Sequence, residues 1–345
     1  MEMSFRWYGE SDPVTLDYIR QIPAMKGIVS AIYDIPAGEV WPVEDIIKLK
    51  QQIESMNLRL NVIESVPVHE EIKLGRPTRD KWIANYKKTL QNLAEAGVYT
   101  VCYNFMPVFD WTRSELDAPL PDGSNSLKYN EKTVTTLDPL SGELTLPGWD
   151  LSYQTDELQQ IMEEYRGISE AQLMDNLIYF LEEVIPTATA AGVKMAIHPD
   201  DPPWGIFGLP RVVTNVDSVR KILSAVDADE NGITFCTGSY GADPANDLHE
   251  IVKAAAGRIH FVHARNVKWT GEKSFQETSH SIHDGSLDMV GVMQTLIQEG
   301  YSGPIRPDHG RMIWGETGRP GYGLYDRALG AAYLNGIMDT IHHKQ

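Results

Sequence analysis

The feature that most constrains the fold is a regular alternation of short apolar runs with longer amphipathic segments. The longer segments place apolar residues three or four positions apart, as Leu173, Leu177 and Leu181 do, which is the spacing of one helical face. Alternating strands and helices predict an α/β protein with a mainly parallel sheet. Eight strands predict a closed (β/α)₈ TIM barrel rather than an open, doubly wound sheet. The candidate strands lie near Phe5–Tyr8, Ile28–Tyr33, Leu58–Glu64, Val98–Asn104, Val193–His198, Ile233–Cys236, Ile259–His263 and Pro304–Asp308.

A proline-rich stretch after the fourth candidate strand interrupts this alternation. Residues 105–168 include Pro107 and Pro119, and they contain one candidate helix near Asp156–Tyr165. A connection of this length inside a compact domain is usually functional. We therefore expect a single barrel domain over residues 1–345, in which 105–168 form an insertion or lid at the carboxyl ends of the strands.

The composition excludes several classes of protein. There are 30 Lys and Arg against 48 Asp and Glu, and the net charge of −18 disfavours a nucleic-acid partner, although a few local arginines could still hold a small anion. Two cysteines cannot form a disulfide framework in 345 residues. There is no apolar stretch of about 18 residues and no secretory type of N-terminus, so we expect a cytoplasmic protein without a membrane partner. Its apolar helix faces are compatible with a homo-oligomer.

Four neighbouring strands of the predicted barrel end on residues that can bind a metal ion: His198, Cys236, His263 and Asp308. Taken singly, a buried histidine is more often hydrogen-bonded structure, a buried cysteine an apolar filler, and an aspartate after a strand a helix cap. Active sites of such barrels lie at the carboxyl ends of the strands, so the joint occurrence predicts one divalent metal site. Two imidazoles, a thiolate and a carboxylate suit Fe²⁺ or Zn²⁺ better than Mg²⁺.

The loops after these strands supply candidate substrate-binding and proton-transfer groups. Arg265 and Arg311 are placed to hold a carboxylate, and the alternative interpretation of each is a surface ion pair. His309 and Tyr322 are candidate proton donors or acceptors, and a solvated loop histidine is the alternative for His309. Several glycines between positions 315 and 323 make the last loop flexible enough to close over a ligand.

Several longer sequence motifs accompany these candidate residues, and most of the motifs contain at least one of them. They are FRWYG (5–9), HPDDPPWGIFGLPRVV (198–213), FCTGSYG (235–241), FVHARNV (261–267), HDGSLDM (283–289), RPDHGRMIWGE (306–316) and GRPGYGLYDRALG (318–330). Together these strings resemble the mannonate dehydratase family, and the resemblance extends over essentially the full chain.

The resemblance implies the barrel of the xylose-isomerase-like superfamily. It also implies the dehydration of D-mannonate to 2-dehydro-3-deoxy-D-gluconate in hexuronate catabolism, with Fe²⁺ or Mn²⁺ as the divalent ion. Its metal ligands fall on the same four strand-end residues. The family's active-site loop contains the catalytic candidates His309, Arg311 and Tyr322. The expected substrate contacts are Arg265, Arg311, Asp200 and Trp7.

Three other functions are compatible with parts of the pattern. A sugar isomerase or epimerase on the same barrel would use a site richer in carboxylates, and the Cys236 thiolate argues against it. A phosphodiester-cleaving DNA-repair enzyme conflicts with the net charge of −18. A non-catalytic module that binds a sugar acid is the third. The sequence does not assign the roles of base and acid between His309 and Tyr322.

Overall fold

A computed structural model describes residues 1–140 and 155–343 of the chain. Its strands are β1 Glu2–Arg6, β2 Gly27–Ser30, β3 Arg59–Glu64, β4 Thr100–Tyr103, β5 Glu115–Pro119, β6 Asn125–Tyr129, β7 Lys194–Ile197, β8 Asn231–Cys236, β9 Ile259–Ala264, β10 Val267–Gly271, β11 Ser274–Glu277 and β12 Pro304–Pro307. Its helices are α1 Leu16–Ile19, α2 Val43–Glu54, α3 Glu70–Lys73, α4 Arg79–Glu95, α5 Glu131–Val134, α6 Thr155–Tyr165, α7 Glu170–Ala191, α8 Val216–Ala225, α9 Thr237–Gly241, α10 Leu248–Ala254, α11 Met289–Gln298 and α12 Tyr325–His343. Within these described ranges no helix is both long and apolar enough to cross a membrane.

Eight parallel strands of the described chain close into a barrel, in the order β1-β12-β9-β8-β7-β4-β3-β2. This confirms the predicted (β/α)₈ barrel, and every candidate strand has its counterpart. The largest difference is in β1, which begins at Glu2 instead of near Phe5. It begins early because Glu2 and Met3 pair with Pro304 and Ile305 of β12, and this pairing closes the barrel.

Apolar side chains fill the centre of the barrel. Val29, Val62, Cys102, Ala196 and Phe261 come from five different barrel strands and form one buried cluster. A larger cluster of buried residues joins the strands to the surrounding helices. Because the barrel is packed through its centre, the space for a ligand lies at the mouth, where the strands end.

Helix α7 shows how an amphipathic segment becomes part of the barrel wall. The Ser169 side chain accepts a hydrogen bond from the backbone N–H of Gln172, and the Gln172 side chain accepts one from the backbone N–H of Ser169, so the two residues form a capping box at the start of the helix. Gly192 ends the helix with a φ of 68°, a left-handed conformation that glycine adopts without strain. Between these ends, Leu177 and Leu181 are fully buried.

A second, antiparallel sheet has the strand order β10-β11-β6-β5. Strands β5 and β6 belong to the predicted insertion, and α6 matches its predicted helix, whereas residues 141–154 lie outside the described residues. Strands β10 and β11 come from the connection after β9, where the sequence pattern predicts no strand. The pattern fails there because β10 exposes all its residues after Val267 and so lacks apolar–polar alternation. Two separate connections therefore build one sheet.

We expect Leu181→Ala to lower the free energy of unfolding by about 2–5 kcal/mol, because the substitution leaves a cavity at a fully buried position of α7. Urea unfolding followed by circular dichroism measures this change. Glu182→Ala, at the exposed next position, is the matched control and should change it by less than about 0.5 kcal/mol. Equal losses in the two variants would contradict the buried face described for α7.

Candidate active site

The carboxyl ends of neighbouring barrel strands carry the predicted metal ligands. His198 directly follows β7, Cys236 ends β8, His263 lies next to the end of β9, and Asp308 directly follows β12. Strand pairing sets these positions side by side, with Cys236 opposite His263 in the β8–β9 pair. One donor atom from each of His198, Cys236 and His263 lies within 4.8 Å of the other two. Three of the four predicted ligands therefore form one compact cluster.

Hydrogen bonds orient the side chains of this cluster. His198 Nδ1 lies 2.7 Å from the carbonyl oxygen of Pro199, and His198 Nε2 lies 3.0 Å from His263 Nδ1. A carbonyl oxygen only accepts, so His198 carries its proton on Nδ1 and turns the lone pair of Nε2 toward His263. The Ser239 hydroxyl donates to Cys236 Sγ at 3.0 Å. These contacts hold the nitrogen and sulfur donors close together.

Asp308 lies at the edge of this cluster. Its carboxylate oxygens are 3.7 Å from Cys236 Sγ and 3.9 Å from His263 Nδ1. Arg306 Nη1 and Arg265 Nε approach the same carboxylate at 2.7 and 2.8 Å. Burial acts to raise the pKa of Asp308, but Arg306, the two nearby histidines and Arg265 together outweigh it and hold that pKa well below its usual value. The carboxylate is ionised, and the four donors together fit a divalent transition metal.

A carboxylate that is absent from the sequence-based candidates contacts His263 from the other side. Glu64 ends β3, and its Oε2 lies 3.2 Å from His263 Nε2, while Arg306 donates to its Oε1 at 2.9 Å. Glu64, Cys102 and His263 also form a second cluster of donor atoms within 4.8 Å. Metal-binding histidines commonly donate their second ring nitrogen to a carboxylate, which fixes the ring. Inspection of all eight strand ends in the sequence would have identified Glu64.

His309 and Tyr322 form a hydrogen-bonded pair next to the cluster. His309 Nε2 lies 2.9 Å from the Tyr322 hydroxyl, and His309 Nδ1 lies 2.8 and 3.0 Å from the two carboxylate oxygens of Glu277. Burial raises the pKa of Tyr322 well above its usual value. Burial also acts to raise the pKa of Glu277, but His309 and nearby arginines lower it to about 2. The pair thus consists of a neutral phenol and an imidazole that is backed by an ionised carboxylate.

A cavity of about 600 Å³ opens beside these groups at the barrel mouth. Despite the net charge of −18, three arginines line it, namely Arg6, Arg306 and Arg319. The guanidinium carbon of Arg319 lies 4.1 Å from the centre of the Tyr8 ring. Within the described residues, Arg319 makes no ion pair. None of these three arginines is among the sequence-based candidates. The predicted residues on the lining are His198, His263, Asp308, His309 and Tyr322.

Arg265 and Arg311 lie beside the cavity, but their guanidinium groups are directed at protein carboxylates. In both side chains every guanidinium nitrogen has a carboxylate oxygen within 3.3 Å. Neither side chain is on the lining of the cavity. The ion pairs of Arg265 and the Arg311–Asp326 pair are buried or half-buried, whereas the Arg311–Asp122 pair lies at the surface, as one interpretation of the sequence expected. The partners are Asp201, Glu277 and Asp308 for Arg265, and Asp122 and Asp326 for Arg311.

Asp200 and Trp7 are also buried behind the lining of the cavity. Asp200 accepts hydrogen bonds from the backbone N–H groups of Val212 and Val213 at 2.7 Å each, and burial raises its pKa. The carbonyl oxygen of Trp7 accepts a hydrogen bond from the Ser30 hydroxyl at 2.8 Å. Both residues therefore support the walls of the cavity through contacts with neighbouring segments.

Comparison with known proteins identifies relatives over the full length of the chain. Residues 1–345 match the family described as D-mannonate dehydratase (UxuA). Mannonate dehydratase 2 of Halalkalibacterium halodurans is 59% identical over 343 residues, which cover 99% of each chain. Mannonate dehydratase of Streptococcus uberis is 58% identical over 343 residues, again 99% of each chain.

Solved structures show the same relationship. The crystal structure of mannonate dehydratase from Streptococcus suis serotype 2 is 50% identical and superimposes with a TM-score of 0.93, covering 100% of this chain and 95% of that one. D-psicose 3-epimerase from Clostridium cellulolyticum, at 13% identity, has a TM-score of 0.59 and covers 99% of both chains. The epimerase shares the barrel fold, and at this identity the likeness extends to the fold alone.

We expect the buried carboxylates of the site to make the protein sensitive to acid. The folded-state pKa of Glu277 is about 2 against a usual 4.5, so its contribution to stability is present above pH 4.5 and is lost as the pH falls toward 2. Urea unfolding between pH 7 and pH 3 should therefore show a steeper acid loss for the wild type than for Glu277→Gln, which has no such group. Equal slopes in the two proteins would contradict the low pKa of Glu277.

Proposed function

The chain belongs to the mannonate dehydratase family, and we propose that the cavity at its barrel mouth is the site at which D-mannonate loses water. The reaction of this family, which the chain catalyses, converts D-mannonate to 2-dehydro-3-deoxy-D-gluconate and water in hexuronate catabolism. The location rests on the 2.9 Å hydrogen bond between His309 Nε2 and the Tyr322 hydroxyl, because it puts a proton-transfer pair beside the cluster of metal-ligating side chains.

The elimination requires proton transfer at two carbons of the sugar acid. A proton must leave C2, the hydroxyl on C3 must depart as water, and the negative charge that develops next to the carboxylate must be stabilised. His309 and Tyr322 line the cavity, and both side chains can donate and accept protons. Because the pKa of Tyr322 is raised by burial, its hydroxyl stays protonated until its hydrogen-bond partner takes the proton. The enol that results from the loss of water becomes the ketone without further help.

The family is metal-dependent, and we assign Fe²⁺ or Mn²⁺ to the cluster at the strand ends. His198, Cys236, His263 and Asp308 are the residues that would hold the ion. When bound, a divalent ion supplies Lewis-acid charge that offsets the negative charge developing on the substrate oxygens. Glu64 contributes by holding the ring of His263 from the opposite side.

The cavity arginines are better placed than Arg265 and Arg311 to meet the substrate carboxylate. Arg319 is exposed at the cavity mouth and makes no ion pair in the described chain, so its charge is available to an incoming anion. Arg6 and Arg306 lie deeper on the lining, where Glu64 pairs with both and Asp308 pairs with Arg306, so Arg319 is the best placed of the three cavity arginines. In this arrangement Arg265 and Arg311, with Asp200 and Trp7, shape the site through the protein contacts described above.

The described residues of the segment 105–168 cover part of the site in this proposal. Its Trp111 packs against His309 with ring centroids 4.7 Å apart, and Asp110 and Trp111 line the cavity. Farther along the same segment, Gln160 and Ile161 of α6 line a larger adjoining cavity of about 850 Å³. A cover of this kind excludes water from the proton-transfer pair, which strengthens the interactions of the pair with charged groups. We therefore regard the segment as part of a single catalytic domain.

We expect Cys236→Ser to lose most of the bound metal while keeping its circular dichroism spectrum, because a hydroxyl is a poorer ligand than a thiolate for Fe²⁺. The matched control is Cys102→Ser, which changes the other buried cysteine and belongs to the second donor cluster. Elemental analysis of protein purified without oxygen should give reduced metal only for Cys236→Ser. Loss of metal from Cys102→Ser alone would place the ion in the other cluster.

We expect Tyr322→Phe and His309→Asn to retain metal but to lower the turnover of D-mannonate by roughly 10²–10⁴-fold, the usual contribution of a proton-transfer group. The rate of formation of the 2-keto-3-deoxy acid measures this turnover. Tyr86→Phe removes a buried hydroxyl on α4 that is not part of the cavity lining, and should retain the wild-type rate. Wild-type rates in Tyr322→Phe or His309→Asn would remove that residue from the mechanism.

A further inference from the structure

We propose that Glu277 is a positioning residue that holds the proton of His309 on Nδ1, so that Nε2 is the nitrogen that exchanges a proton with Tyr322. Nothing in the sequence pattern points to Glu277, which the hairpin of β10 and β11 brings to the site from the second sheet. The inference rests on the proposed roles of His309 and Tyr322 and adds the residue that sets the direction of their hydrogen bond.

The two carboxylate oxygens of Glu277 have different hydrogen-bond partners, although both contact His309. Oε1 accepts hydrogen bonds from Arg113 Nη2 at 2.6 Å, from Arg265 Nη1 at 2.8 Å and from His309 Nδ1 at 2.8 Å. Oε2 lies 3.0 Å from His309 Nδ1, and within the described residues this is its one hydrogen-bond partner. Two arginines therefore pair with the buried carboxylate through one of its oxygens. They do not explain why its second oxygen is turned to His309.

These contacts also fix the tautomer of the His309 imidazole. An ionised carboxylate has no proton to donate, so His309 Nδ1 must be the donor to Glu277. In the neutral imidazole this leaves a lone pair on Nε2, and the Tyr322 hydroxyl at 2.9 Å donates to it. The lone pairs of the Tyr322 oxygen are then free to face the cavity that this residue lines. The hydrogen bonds therefore run in one direction, from Tyr322 to His309 and from His309 to Glu277.

This direction gives a balanced path for one proton. When the Tyr322 oxygen takes a proton from the substrate, its own proton moves to His309 Nε2, and the electron pair of the broken C–H bond stays with the substrate. His309 then carries a positive charge directly against the Glu277 carboxylate, which stabilises it. Return of the proton along the same contacts can convert the departing hydroxyl to water. The role of Glu277 is to orient and stabilise His309, without contact with the substrate.

The position of Glu277 depends on a buried network of charges. Arg113, which precedes β5, donates to both Glu277 and Asp201, and Arg265 contacts the same two carboxylates. All four of these side chains are fully buried or nearly so. Both arginines donate to Glu277, so contacts other than the one with His309 hold the carboxylate in place. A carboxylate fixed in this way can act as a rigid acceptor for Nδ1.

Glu277→Gln tests the proposal because the network dictates how the amide must sit. The arginines donate to the position of Oε1, so the amide oxygen stays there and the NH₂ group takes the position of Oε2, facing His309 Nδ1. The NH₂ group repels a proton on Nδ1, and the amide oxygen at the position of Oε1, which lies 2.8 Å from Nδ1, carries no charge to hold that proton, so the balance shifts toward the tautomer with the proton on Nε2. We expect kcat to fall by about 10²–10⁴-fold, as for other histidines held in the wrong tautomer, with little change in KM or metal content. Glu277→Asp, which keeps the charge, should recover part of the lost kcat.

Nitrogen-15 NMR of histidine-labelled protein reports the tautomer independently of activity. The His309 signals, identified by their absence from the spectrum of His309→Asn, should show a protonated Nδ1 in the wild type and a larger fraction protonated on Nε2 in Glu277→Gln. Glu70→Gln is the matched structural control, because Glu70 is a buried carboxylate that pairs with Lys73 at 2.7 Å on α3. Glu70→Gln should lower the free energy of unfolding but leave kcat and the His309 signals unchanged.

The outcomes separate this inference from the proposed function. A wild type that forms no 2-keto-3-deoxy acid from D-mannonate would count against the proposed function, while the NMR measurement would still test Glu277. A wild-type His309 protonated on Nε2 would overturn the inference even if Glu277→Gln fails to fold. Wild-type kcat in Glu277→Gln would also overturn it, as would a loss of kcat that Glu70→Gln reproduces or that occurs without a change of tautomer.

Discussion

The structure depends on one geometric constraint, the parallel pairing of eight barrel strands within the described chain. Parallel pairing brings every carboxyl end to the same mouth, so residues far apart in sequence become neighbours. Cys236 and His263 are opposite each other in the β8–β9 pair, and Arg306 is opposite His263 in the β9–β12 pair. The packed centre of the barrel leaves this mouth as the place where polar groups can meet a ligand. The chemistry of the site follows from which side chains the strands carry to their ends.

Burial of so many charges at one place is stable only because each has a partner. The guanidinium of Arg265 contacts three carboxylates, and Arg113 bridges Asp201 and Glu277. These contacts keep the carboxylates ionised, as the low pKa values of Asp308 and Glu277 show. Within this network, Glu277 stands on the second sheet and Arg113 on the segment that leads into it. The sheet is therefore a supporting part of the site as well as a cover for the barrel mouth.

The sequence was sufficient for the barrel and for the strand-end residues, because both follow from local patterns. Periodicity locates each strand to within a few residues, and the last residue of a parallel strand faces the mouth wherever its partners lie. The partners of Arg265 and Arg311 could not be predicted in this way, since each depends on residues brought together by tertiary structure. Glu277 was hidden for a further reason: its hairpin is exposed along β10 and pairs with a strand far away in the sequence.

We propose above all that one divalent ion binds where His198, Cys236, His263 and Asp308 converge. The most direct measurement is anomalous X-ray diffraction at the manganese edge from crystals of the Mn²⁺-loaded protein. We expect a single strong peak within bonding distance of the His198 and His263 imidazoles, the Cys236 sulfur and the Asp308 carboxylate, at the wall of the cavity that Tyr322 lines. A peak bound by Glu64 and Cys102 instead, or the absence of any peak at the barrel mouth, would contradict it.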